Sequence, residues 1–163
     1  MSETVYIGIG SNMGSPRENC RQAMARLNVR PGITAMGQSS LYETEPVGVE
    51  EQNWFVNAVM EIKTDFNPEE LLTALLKIEQ EMGRVRREKW GPRIIDLDIL
   101  FYGNRIIDTA RLKIPHPEAA RRRFVLAPLE EINPNLRHPA LDKTVRELLA
   151  ALPNEEQTAR RLS

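Results

Sequence analysis

A single cysteine, Cys20, in 163 residues excludes an internal disulfide and fits a reducing compartment. No apolar run approaches the roughly 20 residues that a membrane-spanning helix needs. The first residues, Met1-Ser2-Glu3-Thr4, are acidic and short, unlike the charged and greasy start of a signal peptide. Charge of either sign is scarcely in excess. Lys and Arg number 22 and Asp and Glu 23, a net charge of −1, so no global field draws the chain toward nucleic acid or a membrane. Internal repeats, low-complexity tracts and linkers are also lacking. With 41% apolar and 28% charged residues, the expectation is one globular domain over residues 1–163 with natural ends. We expect a cytoplasmic protein.

The commoner phosphate-binding signatures are missing too. Gly8-x-Gly10 lacks the third glycine of the dinucleotide fingerprint and the strand–glycine–helix unit around it. There is no G-x-x-x-x-G-K-[ST] loop and no protein-kinase motif set. His116 and His138 form no transition-metal constellation with each other or with Cys20.

Local patterns predict the elements. Val5–Ile9 reads as a buried strand. Ser15-Pro16-Arg17-Glu18 reads as a helix start, with Ser15 as cap and Glu18 closing a capping box. Cys20, Ala23, Met24 and Leu27 then recur at helical spacing, which puts Cys20 on the packing face as an inert thiol. Ile33–Tyr42 reads as a second strand and Trp54–Lys63 as a third. Asn67-Pro68-Glu69-Glu70 opens a second helix that Gly83 stops. Ile94–Tyr102 is a fourth strand. Gly103-Asn104 signals a hairpin with Arg105-Ile106-Ile107 returning. Helical pieces follow around 117–132, and a last helix begins at the Thr144–Glu147 capping box. This order predicts an α+β fold: a ferredoxin-like βαββαβ core with a mainly antiparallel sheet, an added β-hairpin and C-terminal helices.

The fourth strand breaks its own apolar rule. Alternation puts Ile95, Leu97, Ile99 and Phe101 on one face, and Asp96 and Asp98 on the other. Asp is depleted in strands, and two like charges on adjacent same-face positions need a cation, donors or water. A solvated face and a divalent-cation site both satisfy that need. Mg²⁺ takes one or two protein carboxylates and fills its other positions with water and phosphate oxygens. Just upstream, Arg84, Arg86, Arg87, Lys89 and Arg93 cluster around Trp90-Gly91-Pro92 against one acid, Glu88. A screened surface loop and a nucleic-acid patch are alternatives. A basic loop beside a carboxylate pair suits a phosphate-rich ligand. A catalytic kinase and a nucleotide-sensing binding module both remain open at this point.

Lys89-Trp90-Gly91-Pro92-Arg93-Ile94-Ile95-Asp96-Leu97-Asp98-Ile99-Leu100 resembles the signature of 6-hydroxymethyl-7,8-dihydropterin pyrophosphokinases, a family of folate biosynthesis. The resemblance extends in order over Ile9–Asn12, Tyr42–Gly48, Phe55–Ala58, Gly83–Arg86 and Ile114–Pro117. It implies an ATP-dependent diphosphokinase that moves pyrophosphate from ATP to the pterin hydroxymethyl group and releases AMP. It implies two Mg²⁺ ions held by Asp96 and Asp98, with Arg84 and Arg93 catalytic. Further implied ATP contacts are Leu72, Glu79, Arg86, Lys89, Trp90, Ile99, Arg111, Lys113, His116 and Arg122. The pterin positions are Gly10, Thr44, Pro46, Val47, Phe55, Asn57, Trp90, Asp96 and Phe124. The loops around 44–52 and 84–92 are expected to close over the substrates. The chain departs from many members at Lys89, a point charge where Arg would offer a fork, and at Lys113 and Pro117.

Overall fold

The computed structural model describes residues 2–44, 54–83, 94–153 and 159–162. The elements run β1 (Glu3–Ser11), α1 (Pro16–Asn28), β2 (Ile33–Gln38), β3 (Tyr42–Thr44), β4 (Phe55–Thr64), α2 (Pro68–Glu81), β5 (Asp96–Tyr102), β6 (Ile107–Asp108) and β7 (Lys113–Ile114). A 3-10 turn at Ala119–Arg121 leads into α3 (Arg123–Ile132), then β8 (Arg137–His138), β9 (Lys143–Thr144), α4 (Val145–Ala150) and β10 (Ala159–Arg161). The main sheet has the order β10-β3-β4-β1-β5, with β2 also on β4. Its ladders are antiparallel. The path β1-α1-β2-β4-α2-β5, with β1 and β4 central, is the expected ferredoxin-like arrangement.

Alternation along the central strands builds two cores. Val5, Ile7 and Ile9 of β1 join Val56, Ala58, Met60 and Ile62 of β4 beneath α1 and α2. Cys20, Ala23, Met24 and Leu27 supply the α1 stripe, and Leu71, Leu75 and Ile78 the α2 stripe. On the other face Tyr6, Val59, Leu100 and Phe101 meet Val125, Leu126 and Leu129 of α3 and Val145 and Leu148 of α4. Cys20 has no exposed surface, and burial pushes its thiol pKa up to about 12 against the opposing Arg21 charge. It packs as an inert core residue.

The capping boxes fall where the sequence puts them. The Asn67 carboxamide accepts from the Glu70 amide at 2.8 Å, and the Glu70 carboxylate accepts from the Asn67 amide at 2.9 Å. Thr144 and Glu147 repeat the device. Gly83, at φ +85, ends the α2 region after the Met82 cap.

Four expectations change. Ser15 makes no side-chain cap. Its carbonyl accepts from the Asn19 amide, and the Asn19 carboxamide donates to Ser11 Oγ and the Met13 carbonyl. The strand expected over 33–42 divides into β2 and β3. Ser39 interrupts it: its hydroxyl accepts from the Val59 amide, its own amide donates to the Val59 carbonyl, and the register slips by one residue. Phe101 does not share a face with Ile99. A bulge between Tyr6 and Ile7 in the β1–β5 ladder rotates it onto the α3 side, edge-on to Tyr6 at 6.5 Å. Gly103-Asn104 turns the chain, but Arg105–Ile107 does not return along β5. The Gly103 amide bonds the Thr4 carbonyl of β1 instead, and the hairpin forms between β6 and β7.

Candidate active site

The face of the sheet under α3 is apolar at one end and hollow at the other. The register explains why. Gly10 lies between Asn57 of β4 and Asp96 of β5, and Gly8 lies between Val59 and Asp98. Two rows across the central strands thus carry no side chain in their middle positions. The resulting open cleft has a volume of about 770 Å³ including its mouth. Asp96 and Asp98 stand on one wall, Asn57 and Phe55 on the other, and Phe124 and Val125 of α3 overhang it. His116, Arg122 and Thr44 complete the rim.

Tight packing fixes the β4 wall. Asn57 is 8% exposed and donates through Nδ2 to Thr44 Oγ1 at 2.6 Å. Its Oδ1 therefore lies over Gly10, where a Cβ would sit only 2.6 Å from it. Phe55 and Phe124 are both half-buried and line the same cleft, and the Arg122 guanidinium lies over the Phe124 ring, 5.4 Å from its centre.

His116 is held by two backbone contacts. Its amide donates to the Leu100 carbonyl at 3.0 Å, and its Nδ1 accepts from the Glu118 amide at 3.1 Å. An accepting Nδ1 leaves Nε2 as the N–H donor of the neutral ring. Burial lowers the His116 pKa most and the Arg122 charge lowers it further, against Asp96 and Glu118. A neutral donor at neutral pH follows.

That direction fixes a pH response. With a folded pKa below the ordinary value of about 6.5, the unfolded chain takes up the proton first as pH falls. Stability should decline as pH drops below that value and stop declining once pH passes below the folded pKa. Burial lowers His138 in the same direction. The lowered carboxylates Glu81, Glu131 and Glu147 lose their contributions only at more acidic pH. His116→Gln should therefore flatten part of the fall in urea midpoint between about pH 7 and pH 5. An unaltered slope would show that His116 titrates as an exposed histidine does.

The structure gathers Gly10, Thr44, Phe55, Asn57, Asp96, Asp98, His116, Arg122 and Phe124 around one cleft. It puts other expected residues elsewhere. Ile99 is 5% exposed and belongs to the opposite core, under α1 and α2, against which Leu72 also packs. Glu79 of α2 is buried, with its carboxylate accepting from the Leu97 amide at 2.8 Å. Arg111 and Lys113 are exposed and pair with Glu69 and Asp108. Pro46, Val47, Arg84, Arg86, Lys89, Trp90 and Arg93 lie outside the described residues, as does nearly all of the two loops expected to close. Sequence reasoning missed Gly8, Val59, Leu100 and Val125 as cleft residues. Glycines at alternate positions of a buried strand were the available signal for the first.

Among the described residues no cluster of three or more His, Cys, Asp or Glu side chains is arranged to hold a metal. Two carboxylates facing an open cleft fit a hard cation that keeps water and substrate oxygens among its ligands, as Mg²⁺ does.

Residues 6–134 match the family model described as 7,8-dihydro-6-hydroxymethylpterin-pyrophosphokinase (HPPK). The 2-amino-4-hydroxy-6-hydroxymethyldihydropteridine pyrophosphokinase of Bacillus subtilis is 48% identical over 132 residues, 81% of this chain and 79% of that protein. The protein of the same name from Pseudomonas aeruginosa is 43% identical over 155 residues, 95% of each chain. In structure the chain resembles Plasmodium falciparum HPPK-DHPS crystallised with pteroate, at a TM-score of 0.75 and 17% identity. That likeness covers 92% of this chain but 42% of the Plasmodium chain, and it bears on the fold alone.

Proposed function

The chain belongs to the 7,8-dihydro-6-hydroxymethylpterin-pyrophosphokinase family and is a pyrophosphokinase acting on hydroxymethyl-dihydropterin, and we propose that ATP is its donor, with Mg²⁺ held at Asp96 and Asp98. The single observation that carries this reading is the Gly10 row. It seats the amide of Asn57 over Gly10, in space only glycine leaves open, with the carboxylate of Asp96 on the other side of Gly10. One side can recognise an amide-like heterocycle edge, and the other can face phosphate with its metal.

Each residue then has a defined task. Phe55 and Phe124 sandwich the pterin ring, and Asn57 Oδ1 accepts from its N–H edge. Thr44 holds the Asn57 carboxamide in that orientation. His116 donates Nε2–H to a phosphate oxygen without bringing a charge that titrates near neutrality. Arg122 supplies permanent positive charge at the start of α3, whose own N-terminal amides favour an anion there. Two Mg²⁺ ions, when bound, neutralise triphosphate charge and acidify the attacking hydroxyl. The pterin oxygen forms a bond to the β-phosphorus. The bond from that phosphorus to the α–β bridging oxygen breaks, AMP leaves with the oxygen, and the hydroxyl proton passes to solvent.

Arg84, Arg86, Lys89, Trp90 and Arg93 are proposed to complete the triphosphate site by family similarity, as are Pro46 and Val47 for the pterin. Leu72, Glu79, Ile99, Arg111 and Lys113 are proposed around the nucleotide on the same ground. Among the described residues no helix is long and apolar enough to cross a membrane. A cytoplasmic monomer formed of one domain is the accompanying proposal.

The test is product identity. Protein, ATP, Mg²⁺ and 6-hydroxymethyl-7,8-dihydropterin should yield AMP and the pterin diphosphate, and a chelator should stop the reaction. ADP as product, or binding of both ligands without turnover, would instead favour γ-phosphate transfer or a nucleotide-sensing module.

A further inference from the structure

The pterin cleft has one wall on strands and one on α3, which packs on the sheet through Val125, Leu126 and Leu129. Ser40, Tyr42 and Thr44 alternate onto one face of the β3 segment. Thr44 is the cleft residue that holds Asn57. The two before it, Ser40 and Tyr42, bind a single side chain of α3, Glu131. The Glu131 carboxylate accepts from the Ser40 amide at 3.0 Å, Ser40 Oγ at 2.9 Å and the Tyr42 hydroxyl at 2.8 Å. Arg161 of β10 adds a guanidinium at 3.2 Å and donates from Nε to Ser40 Oγ at 2.9 Å.

Resting on the functional reading above, we propose that Glu131 is a positioning residue that locks α3 to β3 and so sets Phe124 against Thr44 and Asn57 across the pterin cleft. Phe124 and Glu131 are seven residues apart in α3, two turns along one face. The same short helix therefore carries the overhanging ring at one end and the lock at the other.

The position of Glu131 argues against a role in helix stability. It is the penultimate residue of α3, where the helix dipole disfavours an anion. Its side chain keeps only 21% of its surface exposed. Burial by itself would raise its pKa, but the Tyr42, Ser40 and Arg161 partners outweigh burial and keep it ionised. Burial and the adjacent carboxylate raise the Tyr42 phenol, which stays a donor. β10 secures the lock from outside, through its ladder with β3, the Arg160–Glu43 ion pair at 2.9 Å and the Leu162 amide on the Leu41 carbonyl.

The experiment compares the full wild-type chain with Glu131→Ala and Glu131→Gln. Pterin affinity is measured by direct titration, KM for pterin and for ATP separately, and the thermal midpoint alongside. Glu131→Ala should weaken pterin binding and raise its KM about tenfold, with kcat and the ATP KM within about twofold. Tyr42 and Ser40 Oγ bond opposite carboxylate oxygens, so Glu131→Gln keeps an acceptor for one of them and should recover part of the loss. Unchanged pterin affinity, or a parallel decline of both KM values, kcat and midpoint, would overturn the proposal. Should Glu131→Ala fail to fold, Tyr42→Phe deletes one hydroxyl and should show the same split at about threefold; no split there overturns it equally. A wild-type chain that binds no pterin would instead defeat the functional reading itself.

Discussion

Asp96→Ala or Asp98→Ala is expected to lower AMP formation by about a thousandfold or more, the scale on which preorganised charge at a reacting phosphoryl group acts. The fold should survive either change. Both aspartates are half-buried at the cleft, and the β5 backbone keeps its ladder to β1 whatever their side chains are. The thermal midpoint should therefore change little while turnover collapses. Asp98→Asn is the sharper variant, because it keeps shape and loses only charge. Mg²⁺ titration of the residual rate should show a weakened metal dependence. A wild-type rate in any of the three would remove the carboxylate pair from the reaction.

The sequence disclosed those two residues because they violate a rule. Asp is costly in a buried strand, so Asp96 and Asp98 stood out against Leu97 and Ile99. The helices were legible for a related reason. Their stripes and capping boxes are local, and the Asn67–Glu70 box forms as written. What stayed hidden depends on long-range pairing. β10 meets β3 across more than a hundred residues, and a three-residue strand carries no period that predicts such a partner. The split at Ser39 depends on which β4 residue faces it, and the bulge that turns Phe101 belongs to two strands together. Glu131 is invisible for the same reason: its meaning lies in Ser40, Tyr42 and Arg161, and none is its sequence neighbour.

Gly10 was legible as a motif residue but not as a spacer, and its substitution makes the second large prediction. A Cβ at position 10 would lie 2.6 Å from Asn57 Oδ1. The carboxamide has nowhere near to go, since Asn57 is 8% exposed and its Nδ2 is bonded to Thr44 at 2.6 Å. Gly10→Ala must therefore turn the Asn57 amide and break the Thr44 bond. Loss of an oriented recognition group should weaken pterin binding about a hundredfold. Gly8→Ala is the internal comparison. There the added methyl meets Leu100 side-chain carbons at 3.3–3.4 Å, the movable end of a side chain, and the effect should be far smaller. The explanation also predicts non-additivity. Once Asn57→Ala has removed the amide, adding Gly10→Ala should cost almost nothing more, because the clash has lost its partner. If the two losses simply add, the methyl acts on the ligand directly and the Asn57–Thr44 brace is not what Gly10 protects.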